Sequence, residues 1–284
     1  MPQPPASTEA VRRRAIGRAP GDGWPPDRWH GEYLMLDGIR WFARISPGGD
    51  PDCLPVLLLH GLVVSGDYFQ PVARRLTDTM AVFVPDLPGA GRSGSPPHRW
   101  DIADSAAGLA RWMEAHGLAG SLLVANSLGC QIVTQLAEDR PDLVARLVLV
   151  APTMDPAAPT VLGQLWRGLR VLPHESPALW AIWIPDLLRA GPWAGLRGLR
   201  MALRDDLSAR LPRVRQPTLV VGGEDDPIAP PAWVQTVAHL LPNGRAIVIP
   251  NAPHAMNYSS AWDLARIIRA FAADEGRCPW RTED

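Results

Sequence analysis

A chain of 284 residues that is 46% hydrophobic and 20% charged is long enough to bury a full core and too apolar to be disordered along most of its length. Its formal net charge of −1 gives no general attraction for polyanions, so nucleic acid is not an expected partner. All 28 basic residues are arginine, a bias of coding composition and not a binding signal. Cys53, Cys130 and Cys278 are widely spaced and odd in number, which argues against a disulfide framework and for a reducing compartment. They make no metal-ligand pattern, and no metal is expected. Residues 1–26 are rich in Pro, Ala and Arg without an apolar run, so neither a signal peptide nor a membrane anchor is expected and the cytoplasm is the expected location.

In chain order, residues 1–28 read as a flexible tail. Tyr33–Leu36 and Ile39–Ile45 flank Asp37-Gly38, a pair that supplies the positive φ of a type I′ turn, which predicts a β-hairpin. Short continuous apolar runs follow at Val56–Leu59, Ala81–Val84, from Ser121 to a strand end at Ser127, and at Leu147–Val150, Thr218–Val221 and Ala246–Ile249. Such runs fit strands buried on both faces. Helical spacing lies between or after them at Tyr68–Leu76, Asp104–His116, Leu128–Asp139, Ala232–Leu241 and Ala261–Ala272. Alternation of this kind predicts an α/β fold, a mostly parallel central sheet flanked by helices. Between Val150 and Thr218 no β-like run occurs, and Trp166, Trp180, Trp183 and Trp193 fall among short helical pieces. The expected organisation is a tail over 1–28, a core in two parts over 29–152 and 213–275, an inserted helical cap over 153–212, and a C-terminal tail over 276–284.

The chain is organised around Ala125-Asn-Ser127-Leu-Gly129, where a strand turns straight into a helix. So sharp a turn strains the central residue and demands small residues two positions to either side, here Ala125 and Gly129. It exposes the Ser127 hydroxyl and frees the Leu128 amide at the first turn of the helix, aimed at a developing oxyanion. A serine hydroxyl needs a base to take its proton and an acid to orient that base. His254 follows the last predicted strand, and in a parallel sheet the loops at the strands' carboxyl ends share one edge. Asp226, in Gly222-Gly-Glu-Asp-Asp226-Pro, follows the strand before it; Asp225 is its neighbouring alternative and Asp155 a third candidate. His60-Gly61-Leu62 follows the first central strand, and Gly61 lets the Leu62 amide face Ser127 as a second oxyanion donor, with His60 in a structural role.

Over roughly residues 30–275 this set of motifs resembles the α/β-hydrolase superfamily: His60-Gly61 as oxyanion loop, Asp86–Ser93 as the loop after the next strand, Ala125–Gly129 as nucleophile elbow, and the Asp226 and His254 loops. The sequence departs from the usual pattern in Ala125 for Gly and in Pro253 before the histidine. The resemblance implies that the cap governs substrate choice and closure. It also implies an acyl-enzyme route, because the relatives that work through an aspartyl ester carry Asp where Ser127 stands. Carboxylic ester hydrolysis of a small apolar or ring-bearing molecule is the expected activity, with the four cap tryptophans lining its pocket. Carbon–carbon bond hydrolysis of the meta-cleavage type, lactone or thioester cleavage and cofactor-free haloperoxidation remain open. So does, in a different class, a ligand-binding receptor with little turnover. Arg167, Arg170, Arg189, Arg197 and Arg200 are available for a carboxylate, although solvated helix faces explain most of them. Gly89-Ala-Gly91-Arg-Ser-Gly94 does not open a helix and is not a dinucleotide loop. No cofactor and no membrane partner are expected, and the chain is expected as a monomer or homodimer.

Overall fold

The computed structural model describes residues 14–19, 24–25, 27–191 and 193–273. One nine-stranded sheet organises them, built from β1 (Arg14–Ala19), β2 (His30–Leu36), β3 (Ile39–Ser46), β4 (Val56–Leu59), β5 (Val82–Asp86), β6 (Ser121–Asn126), β7 (Val144–Val150), β8 (Thr218–Gly223) and β9 (Gly244–Ile249). The strand order is β1-β2-β3-β5-β4-β6-β7-β8-β9. From β5 to β9 all neighbours pair in parallel, while β1, β2 and β3 add antiparallel at one edge. The β2–β3 hairpin turns through Asp37 at φ 50° and Gly38 at φ 79°, both in the left-handed region that a type I′ turn requires.

Every residue of β4, β6 and β8 is buried, so both faces of the central sheet are covered, as their unbroken apolar runs demand. The helices doing so include α1 (Gln70–Leu76), α2 (Ile102–Ala115) and α3 (Leu128–Asp139). Asp101 starts α2 with a reciprocal capping box, its carboxylate accepting from the Asp104 amide at 2.9 Å while the Asp104 side chain accepts from the Asp101 amide at 3.1 Å. Among the described residues between β7 and β8 stand four α-helices and no strand: α4 (Val161–Val171), α5 (Trp180–Ala190), α6 (Ala194–Arg204) and α7 (Leu207–Arg210). Later come α8 (Pro231–Leu240), which packs on β8 and β9, then α9 (Met256–Ser259) and α10 (Ala261–Ala273), which packs on α1.

Two features depart from the sequence reading. Residues 14–19, read as tail, form the edge strand β1. Its sequence Arg-Ala-Ile-Gly-Arg-Ala offers little hydrophobic alternation, and the backbone ladder to β2 supplies what the pattern lacks. Trp24 of the expected tail is buried with Trp29, and the two rings meet edge to face at 4.4 Å. Residues 1–13, 20–23, 26 and 276–284 of the expected tails lie outside the described residues. The second departure concerns the cysteines. Cys130 is a buried free thiol on α3, whereas Cys53 is disulfide-bonded.

A buried ionic knot holds the loops below the site. Arg44 of β3 is 1% exposed and donates to Asp86 at 2.6 Å and to Asp67 at 2.7 Å. The two Asp86 carboxylate oxygens also accept the amides of Gly66 at 2.7 Å and Arg92 at 2.9 Å. Burial works against the Asp86 charge, but Arg44 and these amides outweigh it and hold the carboxyl below its ordinary pKa of 3.8.

Candidate active site

Ser127 stands between β6 and α3 with φ 57° and ψ −123°, a strained conformation for a residue with a side chain. Its amide bonds to Val150 O at 2.9 Å, which fixes the corner on the neighbouring strand. A Cβ on Gly129 would lie 2.9 Å from the backbone oxygens of both Leu59 and His60, so the turn closes only over a hydrogen at that position. A Cβ on Gly61 would lie 2.9 Å from Ser127 Cβ, so the backbone leaving β4 passes directly against the serine and carries the Leu62 amide with it. Leu128 opens α3, where an amide has no preceding helical carbonyl to bond.

His60 is buried behind this loop. Its Nδ1 sits 2.9 Å from Gly61 O, and the Leu87 amide donates to its Nε2 at 3.0 Å, which fixes the Nδ1–H tautomer. Burial pushes its pKa below the ordinary 6.5, so it stays neutral and ties two loops together.

The loops after β8 and β9 bring in the other two groups. Asp225 N donates to Ala252 O and Glu224 N to Ile249 O, each at 3.0 Å. A Cβ on Gly223 would overlap Ala252 O, so glycine there lets the two loops meet. Asp226, 2% exposed, accepts the amides of Ile228 at 2.8 Å and Ala229 at 3.1 Å on Oδ1, and its Oδ2 lies 2.8 Å from His254 Nδ1. Burial, the largest influence on His254, favours the neutral ring. The charge and hydrogen bond of Asp226 more than offset it, so the pKa of His254 lies above 6.5. The competing acids are elsewhere: Asp225 is exposed, and Asp155 pairs with Arg167 at 2.8 Å and accepts the Ala157 amide.

Ser127 and His254 face one cavity of about 130 Å³, walled by apolar side chains that include Leu62, Val64, Val171, Leu179 and Ile228. Of the four tryptophans expected to line a pocket, Trp183 does so. Trp180 packs on Trp183 at 5.4 Å but is not itself part of the wall, while Trp166 and Trp193 are 58% and 66% exposed. The sequence reading fails for these three because helical spacing does not reveal which face of a short inserted helix turns inward.

The sequence reading missed Glu175. It reaches from the segment between α4 and α5 into the same cavity, where its Oε1 accepts the Ala255 amide at 2.8 Å. Its Oε2 is buried without a partner, and burial raises its pKa. Nothing in Leu-Pro-His-Glu175-Ser-Pro marks it except a lone acid in an apolar stretch. Among the described residues no cluster of three or more His, Cys, Asp or Glu side chains is arranged to hold a metal ion.

Comparison with known proteins agrees with this architecture. Residues 55–191 match the family model described as alpha/beta hydrolase fold, and residues 202–271 match one described as TAP-like protein. The chain is 32% identical over 250 residues to polyketide synthase ThaQ of Burkholderia thailandensis, a match covering 79% of this chain and 12% of that far longer protein. It is 26% identical over 263 residues to a poly(3-hydroxyalkanoate) depolymerase of Ectopseudomonas oleovorans, covering 85% of this chain and 92% of the relative. A solved hydrolase from Pseudomonas aeruginosa shares the fold with a TM-score of 0.71 at 23% identity, covering 85% of this chain and 97% of that one. On matched sequence, sheet order and elbow geometry together, the chain belongs to the α/β-hydrolase superfamily.

Proposed function

We propose that the protein is a serine hydrolase that cleaves carboxylic esters of a short apolar acyl group, with the helices between β7 and β8 acting as a cap over the site. The observation that carries this reading is the meeting, on one apolar cavity, of a strained Ser127 and a His254 whose far nitrogen is held by buried Asp226. With Nδ1–H donating to Asp226, His254 Nε2 is the acceptor and takes the hydroxyl proton as Ser127 Oγ adds to the ester carbonyl. The oxyanion so formed is stabilised by the Leu62 and Leu128 amides, each worth roughly 3 kcal/mol. His254 returns the proton to the departing alkoxide, which leaves an acyl-enzyme. Water, deprotonated by the same nitrogen, then releases the acid and restores Ser127.

Cavity size supports a small acyl group. An apolar cavity of about 150 Å³ accepts benzene, so the 130 Å³ here suits an acyl chain about the size of a butanoyl or hexanoyl group. The likeness to a depolymerase of hydroxyalkanoates favours an alkanoate. The test is turnover of nitrophenyl esters from acetate to dodecanoate by the wild type and by Ser127→Ala. The proposal expects a maximum at butanoate or hexanoate and a fall of at least about a thousandfold in the variant. Equal rates in the two proteins would overturn it.

A further inference from the structure

Helices α4 and α5 give Val171 and Trp183 to the cavity wall, yet each also turns an apolar stripe outward. On α4 the inward side carries polar Gln164, bonded to Ala158 O at 2.8 Å, and Arg167, paired with Asp155, beside the buried Val171 of the cavity wall. The outward stripe of α4, Leu162, Leu165, Trp166 and Leu169 at helical spacing, is 51–78% exposed. On α5 the buried residue is Asp186, which accepts the Ser65 amide at 2.7 Å, while Ile184, Leu187 and Leu188 stand 48–76% exposed. Of the eleven large hydrophobic side chains exposed among the described residues, nine lie between Leu162 and Trp193. Scattered exposed leucines are ordinary, but a concentration of this kind on adjacent helices marks a surface that is covered in use.

The charges say what covers it. Between residues 156 and 204 there are six arginines and two acids. Both acids are withdrawn from solvent: Glu175 is bonded to the Ala255 amide, and Asp186 to Ser65 N and Arg189. The exposed charges of the segment are therefore cationic. Arg170 lies over the Trp166 ring at 4.6 Å, on the apolar face itself. Arg197 and Arg200 are exposed on α6, which packs against α4 and α5. A second copy docked through this face by a two-fold axis would bring two cationic patches together. An interface with apolar depth and negative headgroups answers both properties, and aromatic and arginine side chains suit such a boundary.

We propose that the outer face of α4–α6 is a peripheral docking surface for an anionic lipid bilayer. The expectation of no membrane partner came from looking for a span or an anchor in the sequence, and such a face is neither. Among the described residues no helix is long and apolar enough to cross a membrane, so the contact is with the membrane surface.

The test is co-sedimentation of the full chain with vesicles of phosphatidylcholine alone and with about 30% phosphatidylglycerol, at about 0.15 M salt. Binding is read without turnover, so the result stands whatever the fate of the proposed esterase activity. The wild type should bind the anionic vesicles at least tenfold more tightly than the neutral ones. Arg170→Gln, Arg197→Gln and Arg200→Gln together should weaken that binding about a hundredfold, at about fivefold per charge. Leu162→Ser, Leu169→Ser and Leu188→Ser together should abolish it with an unchanged circular dichroism spectrum. Equal binding to both vesicles, or none to either, would overturn the proposal. So would light scattering that finds a dimer in lipid-free solution which the three leucine substitutions dissolve.

Discussion

Replacing Asp226 by Asn tests the wiring of the proposed mechanism with almost no change of shape. In the native protein Oδ1 already accepts the Ile228 and Ala229 amides, and Oδ2 faces His254 Nδ1 at 2.8 Å. An asparagine must keep its carbonyl oxygen on the two amides, because turning it round would set its NH₂ against two N–H donors. Its NH₂ then points at Nδ1, which becomes an acceptor, and the imidazole proton moves to Nε2. In that tautomer His254 cannot take the proton of Ser127. The cost of a wrong tautomer is roughly 10⁴ in kcat, about 5.5 kcal/mol of transition-state stabilisation. The pH profile should move as well. In the wild type kcat/KM rises as His254 loses its proton, at a pH above 6.5. Without the Asp226 charge only Glu175 still opposes the effect of burial on the ring, and the acidic limb shifts to lower pH. The assay is kcat on nitrophenyl butanoate across pH, with thermal unfolding as the check on folding. A kcat within tenfold of the wild type, in a folded Asp226→Asn protein, would refute the assigned role. Asp225→Asn, at an exposed position, should leave kcat within about twofold.

Two further predictions follow from the packing. Arg44→Met strands the buried Asp86 carboxylate, and urea unfolding should show a loss of about 3–5 kcal/mol; a loss below about 1 kcal/mol would show that the knot does not support the fold. Because the folded state holds Asp86 below its ordinary pKa of 3.8, its contribution is present above that pH and disappears as the pH falls through the folded value, so the gap between wild type and variant should close in acid. Trp183→Ala enlarges the wall of the cavity and should move the preferred ester toward longer chains, whereas Trp193→Ala, at 66% exposure, should leave the chain-length profile in place. The opposite pattern would mean that the substrate lies elsewhere on the inserted helices.

The core was legible because its signals are local. Val56–Leu59 and Leu128–Asp139 are strand and helix with the bounds their apolar patterns suggest, and the Asp37-Gly38 turn has the backbone its composition requires. The Ser127, Asp226 and His254 loops were legible for a related reason: in a parallel sheet, chain order fixes which strand ends share an edge, so three distant segments reach one place. What stayed hidden depends on contacts across the fold. Arg44 in the middle of a strand reads as a surface residue until Asp67 and Asp86 are seen around it. Glu175 gains meaning from the Ala255 amide 80 residues away. The outward stripe of α4 has the same periodicity as a buried one, and the direction in which it points is a property of the neighbours, not of the helix.

The central claim is that Ser127 is the nucleophile. It is tested most directly by treating the protein with a fluorophosphonate and locating the phosphonyl group by peptide mass spectrometry while ester hydrolysis is followed in parallel. The account predicts one label per chain, on Ser127, with activity lost in proportion to labelling and no label on Ser127→Ala. A label on another residue, or full activity in a protein labelled at Ser127, would contradict it.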